Sequence, residues 1–321
     1  MSRLFELRQR VRGWHRPMLA VAVVMAGLAV ASVVGLLVDQ RVLLGAPIWL
    51  KPFKFAVSNA IYAVTWSWLF SLLKNNRRIA NVTTNVLVAI IYIEFVLILI
   101  QVLRGRPSHF NFSTPADSII YTTMAISIGV LWTGALILTI LVLRAPIADA
   151  AQRWALRLGV GISLVGISLG ALMVTPTSSQ VNSMSNGTFN GMVGAHTVGT
   201  EDGGPTMPLT GWSTTGGDLR IPHFVGMHAL QALPIVLALL TLLATRIPLL
   251  GFAAIRARLI IVTAAGYAGL VALVTWQAER GQSLIHPDAL TLTALGVLIV
   301  GVAIGTAFSL TRPVTAVIQS T

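Results

Sequence analysis

Long stretches of this chain are apolar on nearly every side, without the alternation of a strand or the single stripe of a soluble helix. Runs of this kind fall near 17–39, 54–73, 81–102, 118–143, 155–174, 223–244, 259–277 and 289–311. A helix needs about 20 apolar residues, and at least roughly 17, to cross the hydrocarbon core of a bilayer. The pattern therefore predicts an all-α integral membrane protein with eight transmembrane helices. The first run is too long for the apolar core of a signal peptide, and its flank MSRLFELRQRVRGWHRP reads as a retained anchor. The longest connection, 175–222, is rich in Gly, Ser, Thr and Asn and is expected to be irregular. It also carries Met184, Phe189, Met192, Met207 and Trp212, so it is expected to fold down as a cap on the helix ends.

Composition strengthens this picture. The 321 residues are 55% hydrophobic and only 10% charged, with mean hydropathy +0.81. A soluble domain carries about 25% charge, so the bilayer is the implied partner. A net charge of +12 would suggest nucleic acid in a soluble protein. Here most cations sit in short connections between apolar runs, which is a topology signal and argues against a nucleic-acid partner. The chain has no cysteine, which excludes disulfides and thiolate metal sites.

The cations also orient the chain. Arg3, Arg8, Arg10, Arg12 and Arg16 precede the first run; Lys74, Arg77 and Arg78 follow the second. Arg144, Arg153 and Arg157 lie between the fourth and fifth, Arg246, Arg256 and Arg258 between the sixth and seventh, and Arg312 after the eighth. If every run crosses, all of these share one side. The positive-inside rule then places both termini in the cytoplasm. Arg41, Lys51, Lys54, Arg104, Arg106, Arg220 and Arg280 remain on the other side, together with loop 175–222.

Two pairs of segments repeat. LKPFKFAVSNA (50–60) matches LRIPHFVGMHA (219–229) at Leu50/Leu219, Phe55/Phe224 and Ala60/Ala229, with Lys51 on Arg220 and Lys54 on His223. QVLRG (101–105) matches QAERG (277–281). Order and direction agree, so the expected organisation is a parallel duplication: a basic tail 1–16, a four-helix half 17–143, a linker 144–154, a second four-helix half 155–311 and a tail 312–321. Sites in duplicated membrane proteins lie between the halves.

Candidate chemistry falls on the non-cytoplasmic side. Lys51, Lys54, Arg104, Arg106, Arg220 and Arg280 occupy matching places in the two halves and are expected to form a ring that attracts an anion, be it a carboxylate, a phosphate or a haem propionate. His109, His196, His223 and His228 share that side, and imidazole suits zinc, copper and iron. They are therefore candidate ligands for a divalent metal or haem b, with Met184, Met192, Met207 and Met227 as potential thioether ligands. His223 and His228 are five residues apart and do not share a helix face as an i, i+4 pair would, so a metal needs His109 or His196 as well.

The polar residues inside apolar runs are Tyr62, Glu94, Gln101, Gln231 and Gln277. Lys54, Ser58 and Tyr62 fall on one stripe of the second run. Glu94 is the acidic residue set deepest in an apolar run. Such a group is a functional candidate, with Lys54, Arg104 or a histidine as expected partner.

The stretches APIWLKPFKFAVS, GRPSHFNFSTPADS and GGDLRIPHFVGMHALQ resemble those of uncharacterised multi-pass inner-membrane proteins of bacteria. The resemblance implies the bacterial inner membrane and no particular activity. Three functions stay open at this point. One is a metal- or haem-binding protein that is redox-linked or sensory. Another is a transporter or anion- or lipid-binding protein in which the cations meet the ligand and Glu94 couples ion movement. The third is a scaffold for a membrane partner subunit.

Overall fold

The computed structural model describes residue 11 and residues 13–311. Arg3, Arg8, Arg10, Arg12 and Arg312, which contribute to the expected orientation, lie outside the described residues. The described chain is dominated by helices: α1 (Arg16–Val38), α2 (Leu50–Phe70), α3 (Arg77–Arg104), α4 (Pro115–Arg144), α5 (Ala150–Ser168), the short α6 (Ser178–Ser185), α7 (Arg220–Met227), α8 (Ala229–Leu243), α9 (Ala253–Glu279) and α10 (Ala289–Ser309). A one-turn hairpin, β1 (Val42–Leu43) with β2 (Ala46–Pro47), joins α1 to α2. A second antiparallel pair, β3 (Thr197–Val198) with β4 (Gly217–Asp218), closes the long loop.

The helix starts follow from local chemistry. His15, Thr114, Asp149 and Asp288 each accept a backbone N–H of the first turn of α1, α4, α5 and α10, which satisfies donors that have no partner inside a helix. Pro115 opens α4 where a missing N–H costs nothing. Gly105 ends α3 in the left-handed conformation, at φ 67°.

Six segments are long and apolar enough to cross a membrane: α1, α3, α4, the stretch Ala150–Ser185, α9 and α10. The pair α7 and α8 makes a seventh if counted as one span bent by 46°. The second of the eight expected runs behaves differently. It forms α2, but Lys51, Lys54, Ser58 and Asn59 keep this helix below the same apolar measure. α2 nevertheless runs antiparallel along α1. At one end His15 N–H donates to the Ser67 carbonyl at 3.2 Å and Ser67 Oγ donates to the His15 carbonyl at 2.9 Å. At the other end the Trp49 ring fills the space over Gly35, where a Cβ would lie 2.3 Å from it.

The largest buried cluster draws on α1 to α5 and α8, with Met18, Met25, Leu69, Ile91, Phe95, Leu138 and Leu230 among its members. α5 meets α7 through backbone. A Cβ on Gly226 would sit 2.6 Å from the Gly166 Cα, so both positions must stay bare. The sixth expected run, read as one helix, is broken here: α7 ends at Met227 and α8 starts at Ala229 beyond the bend. α10 packs mainly on α9, and only Thr291 and Ser309 of it are buried. The outward faces carry large exposed apolar side chains, Leu37 and Val23 at 73% and Phe308 at 71% among them. Water does not suit surfaces of this kind, and lipid does.

The connection expected over 175–222 as irregular ends at Leu219, contains α6, and lies against the helix ends. Asn111 bridges Met192, Gly45 lies against Gly203, and Gly217 sits so close to the end of α9 that a Cβ there would meet the Ala278 carbonyl at 1.9 Å. The loop therefore covers one end of the bundle, where α2, α4, α7 and α10 begin and α1, α3 and α9 finish.

Candidate functional site

The covered end gathers basic side chains from both sequence halves. On the first-half side, the Trp49 ring on Gly35 and its Nε1 bond to Asp39 (2.8 Å) hold the chain entering α2. Pro52 favours the helical φ in the first turn. These fix Lys51 and Lys54 one turn apart on α2. Lys51 Nζ donates to His109 Nδ1 at 3.0 Å and lies 5.9 Å from the Phe55 ring centroid. Ser108 Oγ is also 3.0 Å from that nitrogen. An ammonium has no acceptor, so His109 accepts from Lys51 and carries its own proton on Nε2.

His109 belongs to the turn 105–114 between α3 and α4. Phe110 at φ 64° turns this segment back and places its ring between His109 (centroids 6.1 Å) and His196 (5.0 Å). His196 Nδ1 meets Asp202 Oδ2 at 2.6 Å. Asp202 also accepts the backbone N–H groups of His196 and Thr197 and the Thr197 hydroxyl. Burial pushes His109 well below its ordinary pKa, and the Lys51 charge pushes the same way. Burial also lowers His196, more than the Asp202 carboxylate raises it. Burial alone would raise Asp202, but its bonds to His196 and Thr197 outweigh that and hold it below the carboxylate range. Both imidazoles are therefore neutral at pH 7 and Asp202 is charged.

From the second half comes Arg220, at the first position of α7. Asp218, which is buried, accepts from Arg220 Nε at 2.9 Å, from Arg220 N–H at 3.0 Å and from Ser213 N–H at 2.7 Å. The guanidinium also donates to the Gly211 carbonyl at 2.6 Å, and Lys54 Nζ donates to the neighbouring Thr210 carbonyl at 2.6 Å. The charges of Lys54 and Arg220 both bear on Lys51. Among the described residues, neither Lys51 nor Lys54 has a carboxylate within 4 Å. The site thus holds three partly buried cations; Asp218 pairs directly with Arg220, and the Asp202 carboxylate bears on Lys51 without contacting it, so positive charge remains in excess. An excess of like charge in a poorly solvated place is costly unless an anion joins it.

The remaining expected cations are not part of this cluster. Arg104 donates to Asp117 at 2.7 Å, Arg106 lies 3.7 Å from the same carboxylate, and Arg280 pairs with Asp288. The expected six-membered ring is therefore a group of three, because those arginines find acids at the start of the next helix. The expected meeting of four histidines is corrected as well. His223 Nδ1 bonds the Gly166 carbonyl at 2.9 Å and His228 Nδ1 bonds the Phe224 carbonyl at 2.7 Å. Their polar atoms are satisfied by the α5 and α7 backbone. Among the described residues no group of three or more His, Asp or Glu is placed to hold a metal ion.

Gln101 and Gln277 serve matching structural roles. Each side chain donates to the carbonyl six residues on, Pro107 at 3.2 Å and Ser283 at 2.8 Å. After each glutamine comes a left-handed glycine, Gly105 at φ 67° and Gly281 at φ 69°. Glu94 is buried beside Ser127 of α4 with one carboxylate oxygen lacking a hydrogen bond, and none of its expected partners is within ion-pair reach. Gln231 Nε2 reaches Thr65 at 3.2 Å, while the Tyr62 hydroxyl is buried without a partner.

Sequence reading passed over Asp117 and Asp202. The first had a signal, since Thr114-Pro-Ala-Asp117 is a helix start with a capping threonine and an acid in the first turn. The second had none, because an acid in a Gly-rich loop finds its histidine only through the fold. No family model, no curated protein and no solved structure matches this chain.

Proposed function

We propose that this protein binds an anionic ligand at the loop-covered end of a membrane-embedded bundle of eight helices, arranged as two parallel four-helix halves. The observation that carries the reading is the convergence of Lys51, Lys54 and Arg220, of which only Arg220 has a carboxylate, Asp218, in direct contact. Lys51 and Arg220 are the matched positions of the two repeated blocks. The duplication is supported by the shared Gln–Gly turn at 101–105 and 277–281, and by helix pairing. α1 packs on α2 as α5 does on α7 and α8, and α3 packs on α4 as α9 does on α10.

The eighth span in this reading is α2. Its antiparallel path along α1 supports this, and its lysines lie at the membrane edge, beneath the covering loop. With both termini cytoplasmic, the site faces the opposite side of a bacterial inner membrane. The ligand is a carboxylate or a phosphate, free or on a lipid. Glu94, deep in α3 with an oxygen unbonded, is the group that couples proton or ion movement to binding. In this reading His109 is a neutral hydrogen-bonding partner of Lys51, and the histidines are not ligands of haem b or a metal.

The test is thermal unfolding of detergent-purified protein against increasing inorganic phosphate and against anionic lipid. The expected result is a saturable rise in Tm that is lost in Lys51→Met and Lys54→Met. A Tm indifferent to every anion, in a protein carrying haem or stoichiometric metal, would reject this reading in favour of the redox one.

A further inference from the structure

The turn that covers the cations has an unusual build. Met207 N–H donates to the Trp212 carbonyl at 2.7 Å and Gly211 N–H donates to the Met207 carbonyl at 3.0 Å, closing a tight loop over 207–212. Its tip, Leu209, is 77% exposed and held at φ 64°, where a leucine is strained. Gly211 also sits at φ 64°. An exposed leucine gains nothing from packing to offset that conformation. What the turn does gain is the pair of carbonyls that it points at the cations: Thr210 O on Lys54 and Gly211 O on Arg220, both at 2.6 Å. Two neutral carbonyl oxygens thus stand where the surrounding charge calls for an anion.

Resting on the anion-binding reading above, we infer that the Thr210 and Gly211 carbonyl oxygens occupy the places of two oxygens of the ligand, and that 207–212 is a cover which the ligand displaces. The ligand is then an oxyanion that presents two oxygens to Lys54 and Arg220 together, as a phosphate does, whether free or on a lipid headgroup. Charge-assisted bonds to an anion are stronger than bonds to neutral carbonyls, which supplies the drive for exchange. The strain at Leu209 is released as the turn lifts. Because closed and ligand-bound states compete for the same cations, anything that destabilises the closed turn raises apparent affinity.

The absence of cysteine makes the test direct. Leu209→Cys and Leu103→Cys are combined, the latter at a 71% exposed site on α3, and both are spin-labelled for distance measurement. One arm adds inorganic phosphate in detergent. Another compares nanodiscs of phosphatidylglycerol with nanodiscs of phosphatidylcholine. Displacement of the cover predicts a new, longer or broader population in the phosphate arm, in the phosphatidylglycerol arm, or in both. Motion with phosphate assigns a free oxyanion, and motion with phosphatidylglycerol alone assigns a headgroup. An unchanged distribution under anions that still raise Tm overturns the cover and leaves the binding reading standing. An unchanged distribution with unchanged Tm overturns both.

Gly211→Ala provides a second measurement. A side chain is strained at φ 64°, and its Cβ would lie 3.5 Å from Lys54 Nζ. The expected result is phosphate affinity raised roughly 5-fold through a weakened closed turn. Affinity that falls or stays level contradicts displacement.

Discussion

The starts of α2 and α7 align at Leu50/Leu219 and Phe55/Phe224, with Lys51 on Arg220, and end up with contrasting electrostatics. LKPFKF opens α2 with two lysines that meet a neutral histidine, a backbone carbonyl and each other. LRIPHF opens α7 with Arg220 clamped by Asp218, while His223 takes the place of the second lysine and bonds backbone. One entrance supplies unneutralised charge and the other a fixed guanidinium. A ligand site needs both, since rigid donors orient an anion and uncompensated charge attracts it. Only the second entrance has an acid at the adjoining strand, Asp218 on β4, and that one residue accounts for most of the contrast.

Four experiments sharpen or break this comparison. The largest effect belongs to Asp218→Asn. It leaves the half-buried Arg220 without its carboxylate, a change that costs about 3–5 kcal/mol when a buried pair is broken. A large fall in Tm is expected, and a fall of only a degree or two would mean that the two entrances are equally free. Gly226→Ala comes next. The added Cβ meets the Gly166 backbone at 2.6 Å, and overpacking of this sort costs about 1–3 kcal/mol. The expected readout is a lower Tm with a displaced α7. Unchanged stability would show that Arg220 is not positioned by this close approach.

Lys54→Met is expected to act in the other direction. It removes charge that no carboxylate balances, so Tm in the absence of ligand should hold or rise while anion affinity falls by about tenfold, equivalent to ~1.4 kcal/mol. A destabilised Lys54→Met would make that lysine structural and erase the contrast with Arg220.

The smallest effect is in pH. His109 and His196 titrate below their ordinary 6.5 in the folded protein, mainly because burial penalises the charged ring. As pH falls below 6.5 the unfolded chain takes up protons that the folded protein resists, so stability declines through this window and is flat above it. His109→Asn should flatten the slope of Tm between pH 6.5 and 5. A slope that is unaffected would place the titration elsewhere.

Much of the bundle can be read from the letters. Unbroken apolar runs, Thr114-Pro-Ala-Asp117, the glycine after Arg104 and the basic loops predict helices and their ends through short-range physics: hydropathy, caps and φ preference. Lys51, Lys54 and Arg220 stand at helix starts in the sequence, which places them at one end of the bundle but does not tell which carbonyls and acids they meet. The assignment of Arg104, Arg106 and Arg280 to the same ring failed for a local reason, since Asp117 and Asp288 lie within one turn of the next helix and take those charges first. The apolar run 54–73 predicts an ordinary span, yet the lysines and asparagine of α2 leave it more polar than the other spans. It lies along α1 because Trp49 and Ser67 fasten its two ends.

By itself, then, the sequence determined where helices start and stop, how apolar they are and which basic residues stand at their ends, because each of these depends on neighbours within a few positions. The tertiary structure alone decided which cations are neutralised, which histidines are spent on backbone carbonyls and which loop carbonyls rest on Lys54 and Arg220. Those outcomes depend on distances between segments that can be more than a hundred residues apart, and only the packing of the helices and the fold of the long loop bring such segments within hydrogen-bond reach.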